Sequence, residues 1–191
     1  MARKVILGGL VGGVIAYIVL SIVHMATGLG EVGIKNLPAE AVLAPAFKLA
    51  IHDPGFYFFP GMEVKPGMSK EEQHAAMERQ QQKWLAGPTG ILIYSPGGTA
   101  FSFPKLLGIQ FLITLLSGFL LAWLMATAGA GLPGVGAKVL FAAIVALFAG
   151  IFIDLPYWNW YGFPMDYTIA HTGTSVASWA IAGLGMAKVI K

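Results

Sequence analysis

The chain has 191 residues, 57% of them hydrophobic and only 11% charged, with a net charge of +3 and no cysteine. A soluble domain typically carries about a quarter charged residues, so a mean hydropathy of +0.72 excludes an ordinary soluble globule and points to the membrane class. The lack of cysteine excludes disulfide frameworks, zinc–thiolate sites, iron–sulfur clusters and Cys-x-x-Cys-His haem attachment. The pI is 9.2, but the bases are scattered rather than gathered into a nucleic-acid-binding patch.

Arg3 and Lys4 precede an apolar run that is longer than a signal-peptide core and is followed by a poor cleavage pattern. Residues 5–26 are therefore predicted to form a first transmembrane helix. Gly8, Gly9, Gly12 and Gly13 lie along it, and small residues at this spacing let a second helix backbone approach closely in lipid. Residues 27–104 then leave the membrane: eight of the eleven prolines fall here, among charges of both signs. This segment is predicted to be an extracytoplasmic cap. Leu43, Phe47 and Ala50 suggest a short interfacial helix interrupted or started at Pro45. Ser69 and Glu72 form a capping box for a helix from about Lys70 to Ala86, which ends before Gly87-Pro88. Ile91–Tyr94 is long enough only for a strand or an extended connection.

Three further apolar runs follow, predicted to span at residues 106–127, 135–155 and 168–190, each near the roughly twenty residues that a bilayer core requires. Lys138 is expected to snorkel at the inner end of the third. Between the third and fourth, the chain turns at Asp154 and Pro156 through Tyr157, Trp158, Trp160, Tyr161 and Phe163. Such an aromatic belt suits the boundary between lipid and water. Asp166 stands where it would cap the fourth helix. Arg3, Lys4, Lys138, Lys188 and Lys191 fall on the side of the termini, and all nine carboxylates fall on the other. The positive-inside rule then places both termini in the cytoplasm and the cap outside a bacterial inner membrane. The expected fold class is an all-α membrane protein, a single domain over 1–191 built as a four-transmembrane-helix bundle with an extracytoplasmic cap between helices one and two.

Ionisable residues inside spans are candidates for function. His24 and His171 both fall near the outer ends of their helices, with Asp154 at the same border. Gly9 and Gly13 share a stripe with His24, while Ser175, Ser178 and Ala182 share one with His171. If the two small-residue stripes pack together, the imidazoles meet at similar depth. Two axial histidines suit a b-type haem or another tetrapyrrole. His24, His171 and Asp154 together suit a divalent metal, and the cluster also suits proton or headgroup handling. The simplest reading gives each histidine a backbone or hydroxyl partner and no cofactor. His52, His74, Met62, Met68 and Met77 include copper-favouring donors, but without regular spacing. No catalytic motif for nucleotide, hydrolase or zinc-protease chemistry is present.

The segments Leu155-Pro-Tyr-Trp-Asn-Trp-Tyr-Gly-Phe-Pro164, Gly55-Phe-Tyr-Phe-Phe-Pro-Gly61 and Gly87-Pro-Thr-Gly-Ile-Leu-Ile-Tyr94 resemble those of a group of small uncharacterised bacterial inner-membrane proteins. The resemblance implies a four-helix layout and no activity, so it assigns no catalytic residue. The expected role is an accessory or structural subunit of a larger membrane complex, in contact with lipids and other membrane subunits. The alternatives are a haem- or metal-binding redox protein using His24 and His171, and a lipid or quinone binder under the cap.

Overall fold

The computed structural model describes residues 1–98 and 101–190. Lys191, counted above among the inner cations, lies outside the described residues, as do positions 99 and 100 of the cap segment. The chain divides into two compact units, Met1–Lys35 with Phe101–Lys191, and Asn36–Ala100.

The first unit contains four long helices: α1 (Ala2–Ala26), α4 (Phe103–Ala128), α5 (Gly134–Tyr161) and α6 (Met165–Val189). At 1.5 Å per residue each is roughly 38–42 Å long, enough to cross a bilayer core. Three of them, α1, α4 extended by its following turn, and α5, are also apolar enough to do so. The α6 helix has sufficient length but carries Asp166, His171, Thr168, Thr172, Thr174, Ser175 and Ser178. All neighbouring helices run antiparallel, in the spatial order α4–α1–α6–α5. The consecutive helices α4 and α5 barely touch.

Residue size decides which faces meet. The buried positions include Gly8, Gly9, Gly12, Gly13 and Ala16 on α1, Thr114 and Gly118 on α4, Ala142, Ala146 and Gly150 on α5, and Ser178, Ala182 and Gly183 on α6. The exposed positions are Ile18, Ile22, Leu112, Leu116, Ile144, Phe148 and Phe152, with Ile169 and Leu184 on α6. Small residues inside and large apolar ones outside reverse the order of a soluble bundle. In lipid the outer residues lose nothing by exposure, and close backbone contact supplies the packing energy. A compact apolar cluster of Leu121, Ala122, Met125, Ala142, Met186 and Ile190 fills the end near the α4–α5 loop.

The glycine faces are distributed differently from the expectation. Gly9 and Gly13 pack on Phe119 and Leu115 of α4, while Gly8 and Gly12 pack on Ile190 and Met186 of α6. Two glycine pairs offset by one position point about 100° apart, so α1 serves two neighbours at once. The Gly9–Gly13 stripe therefore does not meet Ser175, Ser178 and Ala182. Tyr17, on the same stripe, also faces α4: its hydroxyl donates to the Leu107 carbonyl at 3.4 Å and its ring meets Phe111 edge-on.

Two helix boundaries also differ from the expectation. The α5 helix does not stop at Leu155 but passes through Pro156 to Tyr161, where Gly162 in a left-handed conformation (φ 71°) ends it. In a membrane helix the alternative to continuing is unpaired backbone in an apolar medium, so one missing N–H is the smaller loss. Tyr157, Trp158, Trp160 and Tyr161 consequently ride on the last helical turns, exposed, and of the belt only Phe163 lies in the connection. The α6 helix starts at Met165, which puts Asp166 inside its first turn rather than at its cap. There Asp166 Oδ1 accepts from the Tyr167 N–H at 2.8 Å, and its charge suits the helix N-terminus.

The second unit holds α2 (Glu40–Ala50), β1 (Gly55–Phe59), α3 (Lys70–Ala86) and β2 (Gly90–Tyr94). The α2 helix carries Pro45 in its interior without breaking. The α3 helix has its expected bounds and both hydrogen bonds of the Ser69–Glu72 capping box. The strand at Ile91–Tyr94 finds an antiparallel partner in β1, with Tyr57 opposite Leu92. Only Ala76 of α3 is buried, and polar ties join the Phe58–Trp84 ring contact in this unit. Glu63 pairs with Lys83 and Arg79, and Gln80 accepts from the Glu63 N–H at 2.9 Å.

The hydrogen-bonded Lys83 ammonium, then its charge, and further Arg79, hold the Glu63 carboxyl below its ordinary value of 4.5, against the opposing effect of desolvation. A depressed folded pKa means that the stabilisation is complete above that ordinary value and fades as pH falls through the folded pKa. Protection factors along α3, taken relative to the intrinsic exchange rate at each pH, are therefore expected to fall on acidification below about pH 4.5. Glu63→Gln should raise exchange at neutral pH and flatten this dependence. Identical profiles for the two proteins would remove Glu63 as the cause.

Candidate functional site

The site forms where the start of α6 meets the ends of α1 and α5. Asp154 lies two turns before the end of α5, with its side chain only 9% exposed. Its Oδ2 accepts two hydrogen bonds from consecutive residues of α6, from His171 Nδ1 at 3.0 Å and from Thr172 Oγ1 at 2.7 Å. Gly150, one turn before Asp154, makes this approach possible. A Cβ there would stand 2.5 Å from Thr172 Cγ2 and 2.8 Å from its hydroxyl. A carboxylate only accepts, so Nδ1 carries a proton, and in the neutral ring Nε2 has the lone pair. Among the described residues no hydrogen-bond partner reaches Nε2.

Across on α1, His24 is held in the same manner. Its Nδ1 lies 2.9 Å from the Leu20 carbonyl oxygen, which again places a proton on Nδ1 and, in the neutral ring, the lone pair on Nε2. The chain then leaves α1 through a 3₁₀ turn, Leu29–Glu31, and Gly30 of that turn packs on the imidazole, where a Cβ would come within 2.6 Å of Cδ2. Gly33, at φ 77°, lies against Tyr167 of α6. This segment thus straps α1 to α6 over the histidines.

Tyr167, one turn before His171, stacks on its ring with centroids 5.6 Å apart and planes 11° from parallel. The aromatic contacts continue through Phe163 at 5.6 Å and Tyr157 at 5.3 Å. Part of the belt therefore buttresses the site. Both histidines line two cavities. The smaller, about 250 Å³, lies under the strap beside Tyr167 and Thr174. The larger, about 520 Å³, opens between α1, α4 and α6, where Tyr17, Ser21, Gln110 and Ser175 join apolar walls from Leu20, Phe103 and Leu107. A cavity of this size falls within the range of small-molecule sites.

Of the residues singled out from sequence, His24, His171 and Ser175 share this larger cavity. Ser178 does not: it is buried and donates to the Thr174 carbonyl at 2.7 Å. Ala182 lies fully buried farther along α6. Of the three residues of the metal reading, His24, His171 and Asp154, the last holds His171 and Thr172 through one oxygen. Among the described residues no three histidine or carboxylate side chains gather as a metal site. In the second unit, Met68 sulfur accepts from the Lys65 N–H at 3.4 Å and His74 faces Glu78 along α3. Thr172, Gly150 and Gln110 were not anticipated at the site. Gly150 and Asp154 stand one turn apart, the only sequence signal that α6 approaches closely there.

The reversed distribution of small and large residues over three span-length apolar helices defines a helical membrane protein. No protein-family model matches the chain, and neither a curated protein nor a solved structure is significantly similar to it.

Proposed function

We propose that this chain is a membrane redox protein that holds a b-type haem or related tetrapyrrole between His24 and His171. The observation that carries the reading is the matched arrangement of the two imidazoles: each turns its Nδ1 to an oxygen, which leaves Nε2 for a ligand, and both line one cavity. Metal-ligating histidines characteristically use their second nitrogen in this way, which fixes the tautomer and strengthens the ligand. Two histidines with no third donor suit a metal that brings its own equatorial ligands, as a porphyrin does. They suit a bare divalent ion poorly. Were such a group bound, His24 and His171 would hold it, and it would supply one-electron transfer chemistry there.

The small-residue faces that pointed to an accessory, packing role are occupied by this chain's own helices. A redox partner in the membrane would still make the chain part of a larger assembly. The topology proposed with this reading has four spans, α6 being the fourth, in a bacterial inner membrane. Both termini are cytoplasmic, as the charge distribution favours, and residues 27–104 lie outside.

Protein produced with a supply of haem precursor and purified in mild detergent is expected to show a Soret band and about one haem per chain, consistent with one bis-histidine site. His24→Ala and His171→Ala should each abolish the band while keeping the helical circular dichroism of the parent. A colourless parent that also fails to take up added hemin would overturn the reading. The hydroxyls and amide on the cavity wall favour a second occupant, a quinol or another hydroxyl-bearing amphiphile that donates to the Nε2 atoms. A colourless protein whose melting temperature rises saturably with a short-chain quinol would select it.

A further inference from the structure

None of the eleven residues of α2 is buried, and among the described residues α2 packs on no other helix or strand beyond a marginal touch. Its sequence is nevertheless two-sided. At about 100° per residue, Val42, Leu43, Ala46, Phe47, Leu49 and Ala50 share an arc of about 160°, and Lys48 lies opposite its middle. Val42 is 70% exposed and Leu49 81%, so the large apolar residues of this face are left uncovered. Pro45 lies on the other side. So does the Ala41 carbonyl, which a proline four residues on cannot bond. That carbonyl requires a wet partner. The helix therefore fits water along one side and an apolar medium along the other.

We propose that α2 lies flat on the bilayer surface, with its Val42–Leu49 face seated among the outermost acyl carbons and Lys48 in water, and so anchors the second unit to the membrane. Three observations favour lipid over a protein as the occupant. The exposed apolar residues of α1 run on along the chain through Met25, Leu29, Ile34 and Leu37 to Val42, so the lipid-facing surface continues into α2. The chain before Lys35 is packed on the first turn of α6, where Gly33 meets Tyr167. From Lys35 to Glu40 the backbone reaches at most about 18 Å, which keeps a bilayer crossed by α1 within reach of α2. The two charges of α2, on Glu40 and Lys48, cancel, so the face offers a partner burial rather than charge. The inference is independent of the histidine cavity and rests only on the long helices spanning a bilayer.

The chain has no cysteine, so each single-cysteine variant of the full-length protein takes one nitroxide spin label. In phosphatidylcholine vesicles, labels at Val42→Cys and Leu49→Cys are expected to collide with oxygen rather than with a water-soluble nickel chelate, at a depth of about 5–10 Å below the headgroup surface. Labels at Ala44→Cys and Lys48→Cys should meet the nickel chelate instead. All four positions are exposed, so the substitutions remove no packing. A label at Ile144→Cys, on the exposed face of α5, should favour oxygen and reports insertion of the long helices. Nickel access on both sides of α2 would overturn the proposal and leave the helix in water. Labels at Val42→Cys and Leu49→Cys that are immobilised and closed to both reagents would also overturn it, in favour of a second copy or another protein as the cover. Nickel access at Ile144→Cys as well would remove the membrane placement on which the proposal rests.

Discussion

Gly118→Leu is expected to destabilise the four-helix unit by about 3 kcal/mol, the upper end of overpacking costs. At this position α4 lies directly on the backbone of α1: a Cβ would stand 2.6 Å from the Gly9 carbonyl oxygen and 2.7 Å from the Gly13 nitrogen. Backbone atoms cannot rotate away as a side chain can, so the two helices must separate. Their separation also exposes Gly9 and Gly13, whose own contacts are with Phe119 and Leu115. Gly108 lies on the same helix with nothing within 4 Å of where its Cβ would stand, so Gly108→Leu should be nearly neutral and serves as the control. Thermal unfolding in detergent, followed by circular dichroism, measures both. Equal melting temperatures for the two variants would show that backbone contact between α1 and α4 does not hold the bundle.

Asp154→Ala is expected to have the second large effect, and it should separate stability from binding. Removing the carboxylate strips the acceptor from both His171 and Thr172. A fully buried ion pair would lose about 3–5 kcal/mol, but His171 is 46% exposed. Hydrogen bonds between membrane helices are also worth little individually, so a loss of about 1–2 kcal/mol is the fitting magnitude. The effect on hemin affinity should be larger, about 10–100-fold, because the outer partner of a ligating histidine fixes its orientation and basicity. Asp154→Asn keeps one acceptor oxygen and should recover part of the stability, while the altered hydrogen bond shifts the tautomer of His171. Hemin titration by absorbance and nitrogen chemical shifts of labelled histidine read these effects separately. Unchanged affinity together with an unchanged tautomer would remove Asp154 from the site.

The parts of the fold legible in the sequence were those written in composition and in local rules. The apolar runs marked the long helices, and the Ser69–Glu72 pair marked the start of α3. The juxtaposition of His24 and His171 was legible too, though for an incomplete reason. Similar depth on antiparallel neighbours brings them to one cavity, while the glycine stripe thought to join them faces α4 instead. The destination of a glycine face depends on which helix fills it, and sequence periodicity shows only that a face exists. The continuation of α5 past Pro156 was hidden because proline is a weaker stop signal when no water waits to satisfy a released carbonyl. The pairing of β1 with β2 was hidden for a different reason. The two strands are far apart in sequence with α3 between them, and no short turn announces the hairpin. Asp154 as the anchor of His171 needed the α5–α6 register, which Gly150 sets through a contact with Thr172.

The sparse contact between α4 and α5 bears on how a guest arrives. On the proposed reading, the flank where these two consecutive rods scarcely meet is the side from which a guest would reach the histidine cavity out of the acyl chains. A flat, greasy molecule dissolved in the bilayer would then enter by lateral diffusion without ever shedding its lipid surroundings for water.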